Sequence, residues 1–252
     1  MIRRTWAGAR QLLRRAARPG RPVALSANLL VGRRRRRVRR ALRKHLRRRA
    51  QVVALQEAGG YLDLIDDAAK EEGYRPPIHA KPTAGRGMDS SVLLFRDDVP
   101  VYAQGVALVR APWTGPRLKI RWPGRGIPWG VADLDVAGQV HRTLVASIHG
   151  PWGYDRGNAR SWRRYLRRLR RMARRLAKRH GATHVLFLGD WNCSSVAVDE
   201  LSVRRLLADR IDADIVRTGT PIDYLVTDLD LVGKKGPRRG SDHHSIEGRE
   251  AA

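Results

Sequence analysis

The sequence predicts one α/β (α+β) domain, and three observations carry that prediction. Val185-Leu186-Phe187-Leu188 is an unbroken apolar run closed by Gly189, the pattern of a strand buried on both faces. Residues 23–30 and 52–55 are two further apolar runs with a helical pattern between them, which makes a strand–helix–strand unit with a right-handed crossover. Residues 90–148 alternate short β-rich runs with Gly and Pro turns, the signature of antiparallel strands. The chain's 252 residues suffice for one domain of ordinary core size and not comfortably for two.

Taken in order, residues 1–20 hold no acid. Trp6, Ala9, Leu12, Leu13 and Ala16 fall at helical spacing, and Pro19-Gly20 closes the pattern. We read this as a basic extension, frayed or a short helix, ahead of the main domain over 21–248. After the 23–30 strand, Val38, Leu42 and Leu46 are four apart and share one face of a helix over Arg33–Arg49, with arginines around the rest. The 52–55 strand runs straight into Gln56-Glu57. Leu62, Ile65 and Ala69 mark a helix over 61–72 that Gly73 ends. The meander runs through Ser91–Phe95, Val101–Val109, Leu118–Trp122, Gly130–Val136 and Arg142–Ile148. A second basic helix over 159–180 carries Trp162, Tyr165, Leu166, Leu169, Met172, Ala173 and Leu176 as a continuous apolar stripe, core rather than a base-stacking platform. A helix near 199–209, strands at Ile222–Val226 and Leu229–Val232, and a basic loop over Lys234–Arg239 complete the pattern.

The net charge of +27 is extreme, with basic residues outnumbering acids 51 to 24. Only seven of the 51 are Lys, and an Arg-for-Lys bias can follow genome composition. That bias leaves the excess over acids unexplained. A chain this basic calls for a polyanion, either nucleic acid or an anionic membrane surface. Cys193 is the single cysteine, so neither an internal disulfide nor a Cys-based zinc site can be built. No apolar run approaches the roughly 20 residues of a transmembrane helix. A cytoplasmic location and a monomer are the default expectations.

Polar residues recur at strand ends: Asn28, Glu57, His149, Asp190, Asn192, Asp223 and the Asp242-His243 pair. Each has an ordinary reading when taken alone. Glu57 can be a helix N-cap neighbour, His149 a loop histidine, and Asp190-Trp191-Asn192 an Asx turn. As a set, carboxylates, carboxamides and imidazoles repeat at the position where α/β proteins hold reacting groups.

These stretches resemble the endonuclease/exonuclease/phosphatase superfamily, the DNase I-like fold. In order they are Ser26-Ala27-Asn28, Leu55-Gln56-Glu57, Ser147-Ile148-His149, Gly189-Asp190-Trp191-Asn192, Ile222-Asp223-Tyr224 and Ser241-Asp242-His243. The resemblance implies a four-layered α/β sandwich, with two mainly antiparallel sheets face to face and helices outside. It implies Glu57 as the principal ligand of Mg²⁺ or Mn²⁺, with Asn28 and Asp242 in or near the shell. It makes Asp190 the group that orients or deprotonates the attacking water, and Asn192 the holder of a non-bridging oxygen. His243, oriented by Asp223, is then the catalytic imidazole, and His149 a donor to the phosphate or the leaving group.

The family cleaves many phosphoesters, so charge is the discriminator. The expectation is a metal-dependent phosphodiesterase acting as a DNA endonuclease of low sequence preference, with DNA favoured over RNA. Arginine contacts to the backbone give affinity without base readout. Arg33, Arg34 and Arg35 at the start of the first helix, Arg160, Lys234 and Lys235 are the candidate substrate-binding cations. One alternative is a phospholipid, phosphoinositide or other small-phosphoester hydrolase held to an anionic membrane. The other is a basic nucleic-acid-binding protein without turnover.

Overall fold

A computed structural model describes residues 22–29, 34–80, 90–109, 113–114, 121–122, 125–151, 159–192, 214–216, 223–235 and 245–251. Its strands are β1 (Ala24–Asn28), β2 (Val52–Gln56), β3 (Ile78–His79), β4 (Val92–Phe95), β5 (Val101–Val109), β6 (Trp113–Thr114), β7 (Arg121–Trp122), β8 (Arg125–Val136), β9 (Gln139–His149), β10 (His184–Asp190), β11 (Asp214–Val216), β12 (Asp223–Thr227), β13 (Leu231–Lys235) and β14 (Ile246–Glu250). Its helices are α1 (Arg35–Leu46), α2 (Leu62–Glu71) and α3 (Ala159–His180).

Two six-stranded sheets form, in the orders β13-β14-β1-β2-β4-β3 and β11-β12-β10-β9-β8-β5. Each contains one parallel pair, β1–β2 or β9–β10, among antiparallel neighbours. Each parallel pair is closed by a crossover helix, α1 in the first sheet and α3 in the second, because parallel neighbours cannot be joined by a tight hairpin.

Period-two alternation explains why the sheets stack. Val52 and Ala54 of β2 face the layer between the sheets, while Val53 and Leu55 face α1 and α2. Leu186 and Leu188 of β10 enter the same central layer, while Val185 and Phe187 pack with Trp162, Tyr165 and Leu169 of α3. A strand with an apolar layer on each side reads as a continuous apolar run, which is why residues 185–188 are legible as buried on both faces. Three apolar layers therefore separate four layers of secondary structure, helix, sheet, sheet and helix, as the fold class predicts.

The structure corrects several details. Ser91–Phe95 is not part of the meander: its strand, β4, lies in the first sheet between β2 and β3. Within Leu118–Trp122 only Arg121–Trp122 is described. It pairs with Trp113–Thr114 in a separate two-stranded ribbon. Lys234 and Lys235 lie in β13 rather than in a loop, because β14 pairs along that whole strand. The expected helix near 199–209 and the extension over 1–20 fall outside the described residues.

Candidate active site

The two parallel pairs end at the same edge of the sandwich. Asn28 stands opposite Gln56 in the β1–β2 register, and Asp190 opposite His149 in the β9–β10 register. Alternation then aims the side chains. Asn28 shares its parity with Ala24, His149 with Val145, and Asp190 with Leu186 and Leu188, and all four apolar partners belong to the central layer. Each sheet thus points its terminal polar residues at the other. All three are buried: 2 % of Asn28, 7 % of His149 and 2 % of Asp190 is exposed.

Glu57 has the opposite parity and would point towards α2 if β2 simply continued. It adopts φ +53° instead, the left-handed region that costs a non-glycine residue about 1–3 kcal/mol. In that conformation its Oε1 accepts from Asn28 Nδ2 at 3.2 Å, and the same amide nitrogen donates to Asp190 Oδ2 at 3.2 Å. One carboxamide thereby spans carboxylates from both sheets. Ligand atoms of Glu57, His149 and Asp190 lie within 4.8 Å of one another. Two carboxylates, a carboxamide and an imidazole, gathered from both sheets around one point, fit a hard divalent cation. Like-charged carboxylates held this close need a positive partner, and the amide dipole is a weak one.

Beyond β10 the chain turns sharply. Asn192 also has a positive φ, +52°. Its backbone N–H donates to Asp190 Oδ1 at 2.8 Å, and its Nδ2 donates to the Gly150 carbonyl at 3.2 Å. The Asx turn that is the ordinary reading of Asp190-Trp191-Asn192 is therefore present, and its hydrogen bond orients the Asp190 carboxylate. Two glycines permit the approach of β9 to β10. A Cβ on Gly189 would fall 1.9 Å from the Ile148 carbonyl oxygen, and one on Gly150 would fall 2.2 Å from that of Trp191. Trp162 closes the wall behind Gly150 and donates its indole N–H to the Pro151 carbonyl at 2.7 Å.

A polar floor lies one step deeper. Ser26 Oγ donates to Gln56 Oε1 at 3.3 Å, and Gln56 Nε2 donates across the sandwich to Ser147 Oγ at 3.2 Å. These three residues sit inside the motifs that carry the family resemblance but had no assigned role. The available signal is their parity: polar residues at central-layer positions must find partners there.

Asp223 is buried opposite Asp190 in the β10–β12 register, so it shares the edge. Asp242, His243 and Arg33 lie outside the described residues. Arg34 is the exposed N-cap of α1. Arg35 is an ion-pair partner of Asp63 and also donates to the Gly60 carbonyl at 3.3 Å, so its charge is answered within the fold rather than left open at a cleft. Arg160 is exposed in the first turn of α3. Lys235 pairs with Ile246, which in turn pairs with Ser26, placing it at the site's edge two strands from β1; Lys234 is one step farther along. Both lysines are exposed.

A model of the Endonuclease/Exonuclease/phosphatase family matches residues 25–243. No curated protein matches the chain. Among solved structures, the human nocturnin catalytic domain is similar at 14 % identity with a TM-score of 0.64, over 90 % of this chain and 93 % of that one. A humanized D. rerio TDP2 is similar at 16 % identity with a TM-score of 0.60, over 89 % and 96 %. A mannosyl-6-phosphatase from Bacteroides thetaiotaomicron is similar at 12 % identity with a TM-score of 0.58, over 90 % and 98 %. At such identities these likenesses concern the fold.

Proposed function

The chain belongs to the endonuclease/exonuclease/phosphatase family, and from that premise we propose that it is a DNA endonuclease of low sequence preference, working in the cytoplasm as a monomer. The family consists of divalent-metal-dependent phosphoesterases, so hydrolysis of a phosphoester is the coarse activity. The finer reading rests on one observation: a buried, two-sheet carboxylate cluster at one edge of a chain whose net charge is +27. The similar mannosyl-6-phosphatase supplies the other reading, a small phosphoester as substrate. A small monoester needs a few cations at the cleft, whereas charge on this scale suits a long polyanion.

Glu57, Asn28 and Asp190, with His149 beside them, are the residues that would hold the ion, Mg²⁺ or Mn²⁺, both of which take carboxylate and carbonyl oxygens. Asp242 is assigned to the same shell by resemblance. When bound, the metal neutralises charge developing on the phosphoryl oxygens. The remaining work falls to the chain. Asp190, its rotamer fixed by the Asn192 N–H, accepts the proton of the attacking water as the new P–O bond forms. Asn192 keeps one amide hydrogen beyond the one engaged by Gly150 and offers it to a non-bridging oxygen. As the ester P–O bond breaks, the leaving oxygen takes a proton from His149, or from His243 oriented by Asp223.

Glu57→Ala separates this reading from that of a binding protein without turnover. Metal-dependent cleavage of plasmid should fall by about 10²-fold or more, while retention of the same DNA on a gel should persist. Equal cleavage by the variant and the native chain would overturn the assignment of the ion site.

A further inference from the structure

The two basic helices are not equivalent. On α1, Arg35, Arg39 and Arg43, continued by Arg47, form a row four residues apart. Each meets an acid of α2 or its C-cap: Arg35 pairs with Asp63, Arg39 with Glu71 at 3.5 Å, Arg43 Nε with Glu71 at 2.8 Å, and Arg47 with Glu72 at 3.0 Å. Every arginine of that row thus has a carboxylate partner within the fold, Arg39 and Arg43 sharing Glu71. The 22 residues of α3 hold ten arginines and Lys178 and no acid at all. Even the first turn carries cations, against the helix dipole. Among the described residues no ion pair is made by Arg163, Arg164, Arg167, Arg168, Arg171 or Arg175. The arginines at 164, 167, 168, 170, 171 and 174 line an open hollow of about 540 Å³.

We propose that the solvent face of α3 is a nucleic-acid track, a second contact for a phosphate backbone that starts at the reaction cleft and leads away from it. The starting point follows from the connection. The helix leaves the site edge just after His149, with Trp162 packed behind Gly150, and runs back to the opposite edge, where β10 begins at His184. From Arg160 to Lys178 the rise is about 27 Å at 1.5 Å per residue. That is most of the roughly 34 Å of one turn of duplex. Guanidinium groups suit the task because each can grip a phosphate with two parallel N–H bonds.

A lipid surface fits less well. A membrane-lying helix needs an apolar face to insert, and the apolar face of α3 (Trp162, Tyr165, Leu166, Leu169 and Ala173) is already buried against the second sheet. What remains outside is charge alone. The inference rests on the reading of the substrate as nucleic acid but makes a separate claim about where that nucleic acid lies.

The test compares two triple substitutions that remove equal charge. One is Arg167→Gln/Arg171→Gln/Arg175→Gln on α3. The other is Arg39→Gln/Arg43→Gln/Arg47→Gln on α1. Each is made in the full chain carrying Asp190→Ala, so that substrate is not consumed, and melting curves confirm folding. Fluorescence anisotropy with a duplex of about 30 base pairs, at salt from about 50 to about 300 mM, gives the slope of log K against log salt. The α3 triple should flatten that slope by about 2.7, at about 0.9 per lost phosphate contact, and the α1 triple should leave it unchanged. Equal flattening by both triples would show a diffuse effect of net charge and overturn the track, as would no flattening by the α3 triple. Loss of binding to phosphatidylserine vesicles by the α3 triple, with its duplex binding intact, would assign the face to membrane and overturn it too. Failure of the functional reading is a different result: a native chain that binds duplex with the full slope and never cuts it.

Discussion

Asn28→Ala is the substitution that most directly probes how the site is assembled. The Asn28 amide donates to carboxylates from both sheets, to Glu57 and Asp190 at 3.2 Å each, from a side chain that is almost fully buried. Hydrogen bonds to charged groups contribute about 1.5–3 kcal/mol. These two are longer than the roughly 2.7–2.9 Å of strong charge-assisted bonds, so the low end applies, and the pair is worth about 3 kcal/mol. In a chain of this size 1 kcal/mol moves the melting temperature by about 2–4 °C, which gives a fall of about 6–12 °C for Asn28→Ala in EDTA. Excess divalent metal should leave the gap at least as wide, because the variant has lost one of the ion's ligands as well and gains less stability by mass action. Differential scanning fluorimetry with EDTA and with Mg²⁺ reads both values. A fall of less than about 2 °C in EDTA would contradict the reasoning, since it would mean that the two carboxylates tolerate each other without the amide.

Three further outcomes follow from the packing. Gly189→Ala places a Cβ 1.9 Å from a backbone oxygen at φ +149°, so it should cost more than about 4 kcal/mol, seen as loss of soluble folded protein or of most of the denaturation midpoint. His141 lies at the opposite end of the second sheet, its Nδ1 3.1 Å from Nε2 of His184, whose Nδ1 lies 2.9 Å from Asp228. Burial, and then the nearby His184, hold the pKa of His141 below its usual value. The unfolded chain therefore takes up this proton first, stability is lost as pH falls below about 6.5, and His141→Gln should flatten urea midpoints measured between about pH 6.5 and 5. Glu247 is 1 % exposed at its side chain and is held by Arg48 at 2.6 Å and Arg249 at 2.9 Å. Arg48→Met leaves that carboxylate half-satisfied and should cost about 3 kcal/mol by urea titration.

Much of this arrangement is legible in the sequence because it depends on alternation and on strand ends. The run 185–188 is apolar at every position since β10 has a packed layer on each side. The last residues of β1, β9 and β10 announce the site since Asn28, His149 and Asp190 simply continue the inward parity. Glu57 is legible by its place at a strand end but not by parity, because its approach depends on a left-handed backbone that breaks the alternation. The placement of β4 in the first sheet is also hidden. Val92–Phe95 is apolar throughout and pairs equally well in either sheet, and only the long-range register with β2 decides it. Charge is similarly opaque: both basic helices read alike until the acids of α2 are seen to answer one row of α1 and none of α3.

The most direct test of the account is a plasmid nicking assay with Mg²⁺, with Mn²⁺ and with EDTA, run on the native chain beside Asp190→Ala. The account predicts nicks that require metal and vanish in the variant, because Asp190 accepts a bond from Asn28 of the facing sheet and one from the turn that follows it. Plasmid retarded but intact under every metal would contradict the nuclease and turn attention to small phosphoesters. Nicking that survives Asp190→Ala would remove the Gly189–Asn192 turn from the centre of the chemistry.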